Sequence, residues 1–162
     1  MHNSQNPTYS KTTNLTDEAI LARAADILAG RMVGEELFDN PSAVKAVLQV
    51  KMAHYEREVF AALLLDSQHH LIEYQELFFG TIDASSVYPR EVVKMVLKAN
   101  AAAVIFAHNH PSGNPEPSKA DQAITVRLTS ALKLIDVRVL DHFVVGNEIV
   151  SFAERGLLAN SQ

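Results

Sequence analysis

The residues in this chain best suited to chemistry lie in "AHNHPSGNPEPSKAD", Ala107 to Asp121, directly after the apolar run "AAAVIF". His108 and His110 stand two apart where a buried strand should end, and on extended backbone residues i and i+2 point the same way. Two imidazoles can therefore reach one point. Asp121 follows His110 after ten intervening residues, in the first turn of a helix whose N-cap is assigned to Ser118. Pro111, Gly113, Pro115 and Pro117 make the loop between them stiff enough to hold that helix start against the strand end. Two neutral imidazoles and a carboxylate are a common ligand set for catalytic zinc, which keeps its fourth tetrahedral position for water. The positive charge left on such a site lowers the pKa of the bound water towards about 7. A nearby carboxylate must then hold the water and pass its proton to the leaving group.

A plainer reading exists for each part alone. S-x-x-D, here Ser118 and Asp121, is a helix capping box that needs no metal, and isolated histidines beside turns are usually solvated. The apolar strand, H-x-H-P, the rigid loop and the S-x-x-D helix start together favour a metal site.

Composition narrows the classes. At 162 residues and 48% hydrophobic the chain suits one compact domain with its own core. Cysteine is absent, so disulfides, thiol nucleophiles and cysteine-based zinc sites are excluded, and a transition metal must use His, Asp or Glu. The net charge of -5, with acidic and basic residues mixed along the chain, gives direct DNA binding no electrostatic support. No apolar run of about 18 residues and no charged-then-apolar amino terminus is visible, so no membrane span is expected and the expected location is cytoplasmic.

The elements that must position these residues follow from periodicity. Residues 1–14 are polar and aperiodic and read as a disordered tail. A helical lead-in over 15–52 comprises "LTDEAILARAADILAGRM", with Ile20, Ala24, Ile27 and Leu28 on one face and Thr16 as N-cap, and a second helix capped by Asn40 with Pro41 at its first position. The rest, 53–162, reads as the metal-binding domain. "EVFAALLLD" and "HLIEYQELFFG" form a hairpin, Pro89 opens a helix through "REVVKMVLKAN", and "AAAVIFA" is a central strand. Ser118 starts the next helix, and "VRVLDHFVVGN" with "EIVSF" closes the chain as a second antiparallel pair. Strands and helices alternate, which predicts an α/β fold with a mixed sheet flanked by helices.

At this point a resemblance enters. A glutamate followed at a distance by H-x-H-P and S-x-x-D resembles the JAMM motif, also called MPN+ or JAB, of metalloproteases. "PREVVKMVLKANAAAVIFAHNHPSGNPEPSKAD" is closer still to the RadC family, with Tyr88 where a histidine often stands, and "REVFAALLLD", "FFGTIDAS", "VLDHFVVG" and "SFAERG" resemble RadC segments. The resemblance runs from about residue 40 to the end. It implies a cytidine-deaminase-like α/β fold with a zinc ion (Zn2+) on His108, His110 and Asp121. It also implies that Glu58 binds the zinc water as general acid and base, with Glu56 as the alternative, and that Ser118 helps hold the oxyanion. Longer RadC proteins carry an amino-terminal helix-hairpin-helix region that binds DNA, whereas residues 15–52 offer two amphipathic helices without a glycine-centred hairpin.

Other residues take the plainer reading. His142 reads as a hydrogen-bonded core histidine ahead of a partner to a metal ligand, and Asp141 likewise. His69 and His70 fall at the hairpin turn with side chains on opposite faces and read as solvated turn residues ahead of joint ligands. Arg90 reads as structural, Asn109 as a loop brace, and Phe78 with Phe79 as core packing. Two functional classes follow. The first is a zinc hydrolase, a metallopeptidase or isopeptidase acting on an unknown protein or peptide substrate. The second is a zinc-stabilised accessory module in DNA repair or recombination, the activity with which the RadC family is associated.

Overall fold

The computed structural model describes residues 16–32, 41–81 and 87–158. The expected tail, the Asn40 cap and the Leu28 side chain lie outside them. The order is α1 (Asp17–Met32), α2 (Pro41–Met52), β1 (Val59–Leu65), β2 (Leu71–Phe79), α3 (Pro89–Ala99), β3 (Ala103–Asn109), α4 (Lys119–Lys133), β4 (Arg138–Val145) and β5 (Ile149–Ser151). None of these helices is long and apolar enough to cross a membrane.

The strands form one mixed sheet in the order β2-β1-β3-β4-β5. β1 is antiparallel to β2 and to β3, while β3 and β4 run parallel, joined by α4. β1 and β3 are buried along their whole length, because both faces of the sheet are covered; this is why their sequences are continuous apolar runs. Val59, Ala61, Leu63 and Leu65 of β1, with Ala103, Ile105 and Ala107 of β3, meet Val44, Val47, Leu48 and Met52 of α2. The alternate residues, Phe60, Ala62 and Leu64 with Val104 and Phe106, pack on α3 and α4 through Val92, Val96, Ile124, Leu128 and Leu132. The result is a three-layer α/β arrangement, with α2 on one face of the sheet and α3 and α4 on the other.

Local chemistry sets the helix ends. The Thr16 hydroxyl accepts from the amide of Ala19 at the start of α1. Pro89 occupies the first turn of α3, and Asn100, with φ 52°, ends it in the left-handed region that asparagine tolerates. α4 buries Asp121, Ile124, Thr125, Leu128 and Leu132, a single stripe at helical spacing that is polar only where it meets the end of β3.

Two expectations are corrected. Phe78 packs against the core, but Phe79 is 51% exposed with the Arg57 guanidinium 4.6 Å from its ring centre; neighbours on a strand face opposite ways. His69 and His70 are not simply solvated: His69 Nε2 lies 2.7 Å from an Arg138 guanidinium nitrogen, and His70 Nδ1 is 3.1 Å from Asp66. On α1, Ile20 and Ile27 remain exposed.

Truncating fully buried Leu64 to Ala should cost about 2–5 kcal/mol. Leu134→Ala, at an 86% exposed residue, should change stability by under about 0.5 kcal/mol. Urea unfolding of both variants checks the layering, and similar losses would contradict it.

Candidate metal centre

The sheet brings distant segments together by register alone. β1 pairs antiparallel with β3 so that Phe60 faces His108. That pairing brings Glu58, just before β1, beside His110, just after β3. Glu58, His108, His110 and Asp121 each offer a ligand atom, and these atoms all lie within 4.8 Å of one another. Glu56 is exposed and is not one of the four.

Asp121 enters through the helix cap. Its main-chain amide donates to Ser118 Oγ at 3.0 Å, and its Oδ2 accepts from the Ser118 amide at 2.7 Å. The capping box and the site are thus one structure, since the same bonds aim the carboxylate inwards. Oδ1 is 3.3 Å from His108 Nε2 and Oδ2 is 3.5 Å from His110 Nε2. Burial works to raise the Asp121 pKa, but the bonds from His108 and His110 outweigh it and hold the carboxyl well below the usual carboxylate range.

The histidines differ in exposure. His108 is fully buried, stacked against Phe60, while His110 is at the rim. His110 Nδ1 lies 2.7 Å from the Asn114 carbonyl oxygen, which can only accept. The ring therefore keeps a proton on Nδ1 and turns Nε2 towards the site. Its pKa is raised, first by the hydrogen bond to Asp121, against the effect of burial. The loop that supplies Asn114 is held by close backbone contact: a Cβ on Gly146 would stand 2.5 Å from the Gly113 carbonyl oxygen. Glu58, His110, Ser118 and Asp121 line an open cleft of about 380 Å³ together with Thr81, Pro111 and Ser112.

Two imidazole nitrogens and an ionised, buried carboxylate form a donor set that fits a divalent cation, and the absence of cysteine removes thiolate competition. Two further residues support it. Asn109 points to the opposite face from the histidines, where its Oδ1 accepts from Val59 N at 2.7 Å and its Nδ2 donates to Arg57 O at 3.0 Å. The expected brace is a clamp on the segment that carries Glu58. His142 is fully buried and in hydrogen-bond contact with both His108 and Thr125. It is a core histidine and a partner of the candidate ligand at once. Asp141 turns away, accepting from Ser151 Oγ and from the amides of His142 and Ala153; it ties β4 to the residues after β5.

A three-layer α/β fold with this cluster at the end of its central strands defines a JAB-type domain. The sequence model described as "RadC-like JAB domain" matches residues 38–157. A UPF0758 protein of Vibrio cholerae serotype O1 is 59% identical over 150 residues, which is 93% of this chain and 96% of that protein. A second from the same organism is 60% identical with similar coverage. One from Methylibium petroleiphilum is 58% identical over 141 residues, covering 86% of this chain and 64% of the relative. The chain belongs to the RadC-like JAB domain family.

Replacing Asn109 by Ala leaves Val59 N and Arg57 O without their partner and should cost about 1–3 kcal/mol, measured by urea unfolding. The histidines predict a pH optimum of stability in metal-free protein. His110, with its pKa raised in the fold, contributes stability that is present below about pH 6.5 and is lost as pH rises through its folded pKa. His142 is held well below its ordinary pKa, by burial first and by the neighbouring His108 second, so it costs stability as pH falls below about 6.5. Melting temperature in chelator should therefore peak near about pH 6.5, and His110→Ala should remove the decline on the alkaline side.

Proposed function

We propose that the chain is a zinc-dependent amide hydrolase of the metallopeptidase or isopeptidase type. The observation that carries this reading is the convergence of Glu58 with His108, His110 and Asp121 at one end of the cleft. When bound by the two imidazoles and Asp121, zinc would lower the pKa of a coordinated water towards about 7 and polarise a carbonyl.

The residues divide the remaining work. Glu58 takes the water's proton on its carboxylate and delivers it to the leaving amine nitrogen, which needs a group at the cleft mouth rather than in the core. Ser118 Oγ accepts from the Asp121 amide and lines the cleft, where its hydroxyl can turn its proton to the developing oxyanion. The substrate reading is a protein or peptide, taken into the open cleft that Thr81 and Ser112 help to line. The acidic balance of the chain gives a nucleic-acid backbone no comparable attraction. The place of action is the cytoplasm, and the family's association with DNA repair fits processing of a protein partner in that setting.

Metal analysis by mass spectrometry tests this. Wild type should carry about one zinc per chain, His110→Ala should lose it, and Glu58→Gln should keep it. In a self-quenched peptide library, Glu58→Gln should lower turnover by about 10²–10⁴-fold. Loss of zinc in Glu58→Gln would instead make Glu58 a fourth ligand and the metal structural, which overturns the hydrolase reading.

A further inference from the structure

His108 directs Nε2 towards Asp121 and His110, which leaves Nδ1 facing the interior, 2.8 Å from His142 Nε2. His142 Nδ1 is 2.6 Å from Thr125 Oγ1, and that hydroxyl is 2.6 Å from the main-chain carbonyl oxygen of Asp121. His108 and His142 are 0% exposed and Thr125 1%, so water cannot exchange roles with any of them.

The direction of these bonds can be read from the far end. A main-chain carbonyl only accepts, so the Thr125 hydroxyl proton points at Asp121 O. Thr125 Oγ1 then accepts from His142, whose proton must sit on Nδ1. His142 Nε2 is left with its lone pair and accepts from His108 Nδ1–H. A neutral His108 with its proton on Nδ1 has a bare Nε2. The sequence of bonds thus ends on the one atom a cation would need.

We propose that Thr125 and His142 are positioning residues of the metal centre, which fix the neutral Nδ1–H tautomer of His108 and present its Nε2 lone pair to a divalent cation. This rests on the metal-binding reading above. Packing alone does not account for the arrangement. The His142 ring lies among Phe60, Phe106 and Phe152, stacked on Phe152 with centroids 4.6 Å apart. An apolar aromatic would fill that cage without the cost of burying two ring nitrogens and a hydroxyl. The partner behind a metal-binding histidine is commonly a carboxylate or a main-chain carbonyl. A neutral imidazole in that place orients the ligand without adding buried negative charge.

The test uses zinc-loaded full-length protein labelled with ¹⁵N on histidine. Long-range ¹H–¹⁵N correlations should give His142 a protonated Nδ1 and a bare Nε2, and His108 a protonated Nδ1. In competition with a chromophoric chelator, His142→Leu should bind zinc about 10–100-fold more weakly, whereas His142→Gln, whose carboxamide oxygen can accept the same proton, should stay within about threefold of wild type. Circular dichroism establishes that each variant is folded, and the wild-type spectrum decides the tautomer if neither is. Zinc uptake with His142 protonated on Nε2 overturns this inference alone, as does equal zinc affinity in folded His142→Leu. A wild type that takes up no zinc overturns the metal-binding reading and this inference with it.

Discussion

A single buried carboxylate ties the site to the fold. Asp121 is 2% exposed, and a charge so placed costs several kcal/mol unless donors surround it. The capping amide of Ser118 supplies one donor, and the two imidazoles stand where further donors must be. Without a cation, the hydrogen bond between His110 and that carboxylate meets part of the demand, which is why the pKa of His110 rises. A cation on the same lone pairs would meet it better and permanently. A residue in the first turn of α4 therefore sets the charge requirement of the whole cluster.

Strand polarity decides which groups can answer it. Because β1 runs against β3 while β4 runs with it, the start of one strand and the ends of two others meet at the same edge of the sheet. Open α/β sheets collect ligands at the carboxyl ends of parallel strands, and the antiparallel β1 adds a residue from its amino end. Alternation sorts the side chains: the parity that sends His108 and His110 towards α4 sends Asn109 towards α2. There its carboxamide continues the pairing of β1 beyond Phe60 and His108, through Val59 N and Arg57 O. The Gly113 and Gly146 contact holds the remaining loop, where a side chain at 146 would collide with backbone.

What was legible in the sequence was local. The i, i+2 spacing of the histidines, the S-x-x-D start of α4, the apolar runs of β1 and β3 and the proline at the head of α3 each act within a few residues, and the elements form where those signals stand. Glu58 carries no local mark; resemblance singled it out, and the physical reason for its place is a register between strands some fifty residues apart. His142 reads as core from sequence because it sits in an apolar strand. Its partner is 34 residues away, across a parallel pairing with a register shift between Val104 and Ile105. A weaker signal was present in α4. Asp121 and Thr125 share the stripe completed by Ile124, Leu128 and Leu132, and a polar i, i+4 pair at the head of a buried apolar stripe needs polar company.

The choice of a neutral partner for His108 has an electrostatic consequence that the fold protects. A carboxylate is available one residue away, yet strand alternation turns Asp141 from the site, and Ser151 with two main-chain amides occupies it. Burial raises its pKa despite those bonds. Had it stood in the place of the imidazole, the cluster would hold a third negative charge beside Asp121 and Glu58, and a cation there would have less charge left to act on water. With His142 behind His108, the carboxylates that line the cleft among the described residues are those of Glu58 and Asp121. A cation held by two histidines and one aspartate would then keep more of its charge, the condition that the proposed reading requires if a nearby glutamate is to draw a proton from water at neutral pH.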